Sequence, residues 1–486
     1  MRTAGRVDGR RRAAVAALTA TMIAAALLAA ACSSPPLVTF PSGSGVITPA
    51  RADVVGPLTL RGRDLLDAEG RVVLIHGTNV VTKSPPFHAT ADGALAPAQL
   101  AAMRRDGLNG VRLGVWPAAL MPAPGVVDTA YLEEIAANVA TLTDAGMWVL
   151  LDLHQDVFTG MPAWATTPEA AALPDLVGGA EGASWALAYA SPRSLRQWDD
   201  WWAQVPVAGG RSAIDWYGDG VAALASRFRD EPNVIGIDPL NEPFAGSAFL
   251  DCVGTCGDRY RAVEAMHRSF TDKVRAVAPA MNMWWEPFTI GTPFPGTPDP
   301  GPGVGHNFHA YCLGTDSGKP EQPPAEASAL CDGLFTSIFD AADDLRARWD
   351  APAMLTEFGA SASPLNSTRT TQIADERLIS WFHWAWGNYP EVVRTNLVRT
   401  SAQATAGTPT LQRFDPATGA YELRFTPDPS VTAPTSIIAP TEVYPAGYAV
   451  AVDGGTVTSP AAAGRITVAA DPGATSVVVR VTRRTP

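Results

Sequence analysis

Short apolar runs and helical patterns alternate repeatedly along this 486-residue chain. Eight runs read as strands: 72–80, 111–116, 148–156, 234–240, 282–286, 303–311, 353–358 and 381–386. Between most of them apolar residues recur every three or four positions, which predicts helices over 97–106, 129–145, 214–229, 260–278, 333–349 and 368–380. The alternation predicts an α/β fold, a (β/α)8 TIM barrel, with an active site where the strands end. The Pro/Gly-rich segment 291–303 predicts that the fifth helix is absent.

After about residue 392 the helical patterns stop and short β-type runs follow, at 421–425, 448–452 and 476–481. They predict a C-terminal antiparallel β-sandwich over 393–486, beside a catalytic barrel over 55–392. The sandwich could bind carbohydrate or membrane. We favour a packing role, because its sequence shows no row of exposed aromatic residues.

The first residues read as an export signal, since several arginines precede an Ala/Leu-rich run at 13–31. A signal peptide is therefore predicted over 1–31 and a flexible linker over 32–54. Cys32 follows three alanines and resembles a bacterial lipoprotein junction, so both a lipid anchor at Cys32 and plain secretion remain open. Either way the mature chain is expected to be secreted or held at the cell surface.

The remaining four cysteines are an even number in an oxidising compartment, which predicts two disulfides, Cys252–Cys256 and Cys312–Cys331. Metal binding by these cysteines is the weaker alternative, because no histidine lies at ligand spacing beside them. A net charge of −12 gives no basic surface for a phosphate backbone, so nucleic acid is not an expected partner. The chain lacks nucleotide-binding motifs, and we expect no metal and no other cofactor.

Two glutamates, Glu242 and Glu357, each close an apolar run that ends a predicted strand, the fourth and the seventh. A charged group there costs free energy unless the strand end opens into a polar cleft. Two carboxyl groups about 5 Å apart are what a retaining glycosidase needs, one as acid/base and one as nucleophile. The pair therefore predicts one active site at the strand ends.

Other polar and aromatic residues close neighbouring strands or stand beside the glutamates: Arg112, His154, Asn241, His309, Tyr311 and Trp384. Together with the glutamate pair they resemble glycoside hydrolase family 5. The resemblance implies Glu242 as acid/base and Glu357 as nucleophile. Glu286 also ends a strand, and we expect it to support the site rather than to catalyse.

The residue types suggest how this set would work. We expect Arg112 and Tyr311 to hold Glu357 ionised, while Glu242, in a drier setting, keeps its proton near neutral pH. Asn241 is placed to bond a sugar 2-hydroxyl. The two histidines could bond sugar hydroxyls or the carboxylates, and Trp384 could form a stacking floor for the sugar.

Three motifs resemble the endoglycoceramidases more specifically: GTNVVTKSPPF at 77–87, DLHQDVF at 152–158 and WWEP at 284–287, with FDPATG at 414–419 and YPAGY at 444–448 similar to their C-terminal sandwich. The resemblance implies cleavage between the glycan and ceramide of a glycosphingolipid. It also implies that Lys83 and Asp156 contact the sugar next to ceramide. The alternatives are a glucosylceramidase or steryl-glucosidase, a β-glucanase or mannanase, and an inactive glycolipid-binding surface protein.

A glycolipid substrate also needs apolar surface. The segment 157–192 supplies Phe158, Met161, Pro162, Trp164 and Leu173, which either line a lipid groove or pack the segment onto the barrel. We expect peripheral contact with a membrane or micelle, and a monomer.

Overall fold

The computed structural model describes residues 37–40, 54–175, 188–253, 256–288, 293–312, 325–360, 363–387, 391–460 and 464–484. The predicted signal peptide, Cys32 and most of the predicted linker lie outside these ranges. Within them, no helix combines the length and the apolar character needed to cross a bilayer.

Eight parallel strands close into a barrel, as the alternation predicted. In chain order the barrel strands are His76–Val80, Gly110–Val115, Trp148–Leu153, Val234–Asp238, Met283–Trp285, Val304–Ala310, Ala353–Phe358 and Ser380–His383. The eighth pairs with the first, with Phe382 opposite Gly77, so the sheet has no free edge. The predicted run 72–80 is wrong in one respect: Val72–Val73 pairs with Ala404 and Thr405 of another sheet, and the barrel strand begins at His76.

A helix lies at each of the six predicted places. The helices of the barrel and its connections are Pro97–Arg105, Pro117–Leu120, Thr129–Asp144, Pro168–Ala171, Pro192–Trp202, Ala213–Phe228, Asp258–Val277, Ala325–Trp349, Pro364–Glu376 and Glu391–Leu397. The 3-10 helices are Ala163–Ala165 and Gly246–Val253, and a small ribbon pairs Pro206–Ala208 with Arg211–Ser212. The described residues between the fifth and sixth barrel strands contain no helix, as predicted.

Large apolar side chains fill the half of the barrel that is nearer the amino ends of its strands. Trp284 and Phe382 are fully buried there, and the neighbouring strands carry glycine where these rings lie. A Cβ atom on Gly305 would come within 2.4 Å of Trp284, and one on Gly77 within 2.4 Å of Phe382. The rings therefore fill the barrel near the amino ends of its strands, and the polar side chains lie at the carboxyl ends.

The C-terminal region is built from antiparallel strands in two sheets. One sheet has the order Leu37–Phe40, Tyr448–Asp453, Val477–Arg483, Tyr421–Pro427 and Gly407–Phe414. The other has the order Thr59–Arg61, Asp64–Leu66, Val72–Val73, Ser401–Thr405, Thr435–Ile438, Arg465–Ala470 and Gly455–Val457. Buried side chains from both sheets, Leu423 and Val479 from one and Ile437 and Ile466 from the other, form a shared core.

Two predicted boundaries need correction. Residues 37–40 were expected in a flexible linker, but this Leu-Val-Thr-Phe run adds an edge strand beside Tyr448–Asp453, because an exposed sheet edge readily pairs with a β-prone segment. Residues 59–73 were assigned to the barrel, but their three strands join the second sheet of the C-terminal region.

The sandwich packs against the end of the barrel opposite the active site. Arg394 pairs with Asp106, which precedes the second barrel strand, and also with Glu442 of the C-terminal region. Asp375, just before the eighth barrel strand, accepts hydrogen bonds from Arg399 at 2.5 Å and Gln412 at 3.2 Å. The contacts of Asp375 are buried and those of Arg394 lie nearer the surface, and both join the sandwich to the barrel as a packing role requires.

Candidate active site

The two predicted glutamates meet at the carboxyl end of the barrel. Glu357 lies in the seventh barrel strand, and Glu242 follows the fourth by four residues. Both are buried. One carboxyl oxygen of each lies within 4.8 Å of the other and of a ring nitrogen of His309. This separation matches a retaining pair, since an inverting pair leaves about 6.5 Å or more for a water molecule.

Glu357 is held by two donors from other strands. Arg112 Nη1 donates to one carboxyl oxygen at 2.6 Å, and the Tyr311 hydroxyl donates to the other at 2.9 Å. Arg112 is fully buried, and its Nη2 also donates to Asp238 and Asn241, at 2.7 Å each. The guanidinium therefore fixes the nucleophile candidate and the segment around Glu242 in one geometry.

Glu242 has a different environment. Its carboxyl oxygens contact His309 Nδ1 at 2.8 Å and the hydroxyl of Tyr189 at 3.0 Å. Burial raises the pKa of Glu242, but the hydrogen bonds from His309 and from the Tyr189 hydroxyl help to outweigh it, and the pKa lies below its usual range. The expectation that Glu242 itself keeps a proton near neutral pH is therefore wrong for the free protein, because these two partners favour its charged form.

The backbone at Glu242 is also unusual. Its φ is 46°, in the left-handed region that non-glycine residues rarely adopt, at a cost of about 1–3 kcal/mol. Gln155 Nε2 donates to the carbonyl oxygens of Asn241 and Glu242, at 2.7 and 3.1 Å. Asn241 in turn donates from Nδ2 to the Gln155 carbonyl at 2.9 Å. These bonds hold the strained turn and aim the Glu242 side chain into the cleft.

Glu286 is a buried carboxyl group whose surroundings favour its protonated form, and burial raises the pKa of the nearby Asp238 in the same direction. Glu286 directly follows the fifth barrel strand and is 2% exposed. Burial, reinforced by the charge of Asp238, raises the pKa of Glu286 well above its usual range, although Arg112 lies 3.9 Å away and opposes the shift. Glu286 Oε1 also lies 3.1 Å from the backbone nitrogen of Glu242, which donates to it. It therefore sits directly behind the acid/base candidate.

A second group of side chains lies at the mouth of the cleft. Lys83 Nζ contacts Asp156 at 2.5 Å and lies 4.6 Å from the centre of the Trp384 ring. His154 stacks on Trp384 with ring centres 5.1 Å apart, and its Nδ1 contacts Asp152 at 2.7 Å. Burial disfavours the charged ring, but Asp152 outweighs it and raises the pKa of His154 to about 9. The rim thus combines charged groups with the half-buried indole of Trp384.

Several residues of the site escaped the sequence analysis. Asp238 lies at the end of the fourth strand, buried against Arg112 and Asn307. Asp238 could have been predicted from the sequence, because it is a charged residue inside an otherwise apolar run. The same holds for Asp152, two residues before His154. Tyr189 had no such signal, because it comes from the segment between the third strand and its helix rather than from a strand end.

The segment 157–192 packs onto the barrel in its described part. Phe158 and Met161 belong to the main hydrophobic core, and Phe158 meets the rings of Trp198 and Trp201 edge to face. Trp164 is half-buried and donates from its indole nitrogen to a backbone carbonyl at 2.8 Å. Residues 176–187 lie outside the described ranges. The structure favours the packing alternative over a lipid groove made by these side chains.

Both predicted disulfides, Cys252–Cys256 and Cys312–Cys331, are present. The first fixes the loop that follows Glu242. Glu242, His309 and Glu357 are also spaced so that a metal ion could lie among them. Arg112 lies 2.6 Å from the Glu357 carboxylate, however, and its fixed positive charge would repel a cation there. The three side chains fit a hydrogen-bonded carboxyl pair better than a metal centre.

Comparison with known proteins agrees with this geometry. Residues 66–390 match the cellulase family, glycosyl hydrolase family 5, and residues 399–482 match the glycoside hydrolase family 5 C-terminal domain. The chain belongs to glycosyl hydrolase family 5. As a member of this family it is a glycoside hydrolase, and the family resemblance found in its sequence is confirmed.

Its relatives within family 5 are more specific. The chain is 36% identical over 458 residues to endoglycoceramidase I of Rhodococcus hoagii, with 89% of each chain covered. It is also similar to endo-glycoceramidase II of Rhodococcus sp., solved in complex with ganglioside GM3, with a TM-score of 0.72 and 26% identity over 87% of this chain and 100% of that one. The lactosyl-enzyme intermediate of the same protein matches with a TM-score of 0.68, at the same identity and coverage.

Proposed function

We propose that this protein is a retaining endo-β-glycosidase that hydrolyses the bond between the oligosaccharide and the ceramide of glycosphingolipids. The observation that carries the proposal is the close pair of Glu242 and Glu357, whose carboxyl oxygens lie within 4.8 Å and have different partners. The similarity to endoglycoceramidase I over most of both chains supports the substrate class.

In the first step Glu357 attacks the anomeric carbon and Glu242 protonates the glycosidic oxygen, so that ceramide leaves and a glycosyl-enzyme ester forms. Arg112 and Tyr311 keep one carboxylate oxygen of Glu357 directed at the sugar. In the second step Glu242, now ionised, takes a proton from water, and the water attacks the ester from the side that ceramide has left. Two inversions give a product with the original anomeric configuration.

The groups around the pair suit a sugar. One amide hydrogen of Asn241 is used by the Gln155 carbonyl, and the other can reach a 2-hydroxyl, a bond that strengthens in the transition state. Lys83 and Asp156, paired at the rim, offer a donor and an acceptor to the sugar next to ceramide. The exposed part of Trp384 gives that sugar an apolar surface to stack on.

We also propose that the barrel face that carries the carboxylates contacts the lipid surface. Three exposed apolar side chains lie in segments that follow barrel strands at this end: Val126, Leu250 and Leu365, which are 50%, 69% and 56% exposed. Two of these segments follow the strands associated with Glu242 and Glu357. Apolar side chains exposed around a cleft favour shallow contact with a micelle or bilayer.

Export to an oxidising compartment is part of the proposal, with the chain acting as a monomer that is either lipid-anchored at Cys32 or freely secreted. Its two disulfides support export, since such bonds persist outside the cytoplasm. Because residues 37–40 pair with the sandwich, a lipid on Cys32 would be separated from the folded protein by residues 33–36 alone. Mass spectrometry of the mature N-terminal peptide distinguishes a diacylated Cys32 from an unmodified terminus.

The function is tested by mass spectrometry of the products released from lactosylceramide, a ganglioside and a 6-galactosyl ceramide in detergent micelles. The expected result is free ceramide with an intact oligosaccharide from at least one of them, and no release by Glu357→Gln. Stepwise loss of single sugars, or cleavage of a β-glucan without any ceramide release, would reject the substrate class and leave the family 5 assignment in place.

A further inference from the structure

The proposed mechanism needs a proton on Glu242, but the free protein favours the charged form of this residue. The proposed acid, Glu242, favours its charged form because His309 and Tyr189 bond to it, yet it must deliver a proton to the leaving oxygen. A second buried carboxyl group, which favours its protonated form, lies in contact with Glu242. Glu286 is directly behind Glu242 and follows the last residue of the fifth barrel strand.

His309 connects these two carboxyl groups. Its Nδ1 lies 2.8 Å from Glu242 Oε1, and its Nε2 lies 3.4 Å from Glu286 Oε1. Nε2 is buried and makes no hydrogen bond to any described residue, although a carboxyl oxygen is this near. A shift of a few tenths of an ångström would complete the bond. The ring thus lies between two carboxyl groups with one nitrogen directed at each.

We propose that Glu286 stores the proton of the catalytic acid and that His309 passes it to Glu242. At rest, the Glu286 O–H donates to His309 Nε2, and the Nδ1–H of the neutral ring donates to the Glu242 carboxylate. In the relay the Glu286 O–H bond breaks as the Nε2–H bond forms, and the Nδ1–H bond breaks as the Glu242 O–H bond forms. One proton is moved in net, the ring ends as its other neutral tautomer, and total charge is conserved.

The surroundings of Glu286 explain why the proton rests there. Burial raises the pKa of Asp238 as well, but Arg112 bonds Asp238 at 2.7 Å and lies 3.9 Å from Glu286, so Asp238 is the better stabilised anion of the two. Asp238, Glu242 and Glu357 therefore face Glu286 with negative charge. Asn307 of the sixth strand lies 3.5 Å from its other oxygen. From the helix packed outside, His267 reaches only its backbone carbonyl, at 2.8 Å.

Substrate would shift this balance. A bound sugar displaces water from Glu242 at the cleft, and loss of water disfavours a carboxylate, while Glu286 is already dry. The two carboxyl groups then compete more equally for the proton, at the moment when the leaving oxygen requires it. Glu286 is in this sense a positioning residue for the proton and does not touch the substrate.

This inference rests on the proposed role of Glu242 as acid, and its test uses two soluble substrates that contain no ceramide. Octyl β-lactoside has a poor leaving group that needs protonation, whereas 2,4-dinitrophenyl β-lactoside has a leaving group that does not. We expect Glu286→Gln to lower kcat/KM for the octyl substrate by about 10²-fold, and to change the initial dinitrophenol burst by less than about twofold. In this variant the alkaline limb of the pH profile of kcat/KM for the octyl substrate should move to lower pH.

Asp152→Asn is the matched control, because it also replaces a buried carboxyl with an amide 3.0 Å from Arg112 but lies outside the path through His309. Its losses should be equal for the two substrates. If Glu286→Gln does not fold, Glu286→Met removes the same proton with an apolar side chain of similar size and carries the same prediction. Equal losses on both substrates, or an unmoved alkaline limb, would overturn the relay. A wild-type protein that cleaves both lactosides but no glycolipid would instead reject the ceramide proposal alone.

Discussion

Replacing Tyr189 with phenylalanine should move the pH dependence of the enzyme in a defined direction. The Tyr189 hydroxyl donates to Glu242 Oε2 at 3.0 Å and is buried with it. Without this donor the Glu242 carboxylate loses stabilisation and its pKa rises. The acid form then persists to higher pH, and the alkaline limb of kcat/KM moves upward.

The size of the shift follows from the bond that is lost. A hydrogen bond to a charged acceptor contributes about 1.5–3 kcal/mol, and one pKa unit corresponds to about 1.4 kcal/mol. Since the protonated carboxyl also accepts a weaker bond, we expect a shift of about one pH unit. The assay is kcat/KM for octyl β-lactoside measured across the alkaline limb.

Tyr217→Phe is the matched control. Tyr217 is equally buried, and its hydroxyl makes no hydrogen bond within the described ranges. Its removal should leave the limb in place. An unmoved limb in Tyr189→Phe, or one that moves to lower pH, would refute the argument that Tyr189 stabilises the charged form of Glu242.

Three further predictions concern the site, the lipid surface and stability. Arg112→Lys should lower kcat/KM by at least about 10²-fold with the fold retained by circular dichroism, because a lysine cannot bond Glu357 and Asp238 together; near-normal activity would contradict it. Leu250→Ser should slow cleavage of micellar glycolipid but not of a soluble lactoside, whereas Leu334→Ser, an exposed leucine within a helix, should change neither; equal rates on micelles for Leu250→Ser and wild type would count against surface contact. Acidification from pH 6.5 towards 4 should lower the free energy of unfolding by about 4 kcal/mol per pH unit, seen as a falling Tm, and a Tm that stays constant would contradict it. Burial lowers the pKa of His76 and, by a larger amount, of three more histidines, which take up protons near pH 6.5 only when unfolded. These are His267, with a pKa of about 4, and His306 and His383, with pKa values of about 3.

The barrel could be predicted because its periodicity is local. Strand-length apolar runs and helical repeats are visible in the sequence, and a charged residue at the end of a buried run marks the cleft. Glu242 and Glu357 were found in this way. The strand Leu37–Phe40 and the three strands at 59–73 were misassigned because the strands that join them to the C-terminal sheets lie hundreds of residues away. Local patterns do not reveal such pairing.

The electrostatics of the site could not be predicted from residue types. The pKa of Glu242 depends on His309 and Tyr189, which arrive from the sixth strand and from a loop after the third. The same distant packing raises the pKa of Glu286, although its sequence context marks it only as another strand-end acid. Which of the three carboxyl groups holds a proton is a property of the assembled barrel.

The central claim, that Glu357 is the nucleophile of a retaining glycosidase, is tested most directly by trapping the covalent intermediate. The wild-type protein is incubated with a 2-deoxy-2-fluoro β-lactoside that carries a dinitrophenyl leaving group, and the labelled peptide is sequenced by mass spectrometry. We expect one glycosyl group per protein, attached to Glu357. Labelling of Glu242 or Glu286, or turnover of lactosides without any trapped ester, would contradict it.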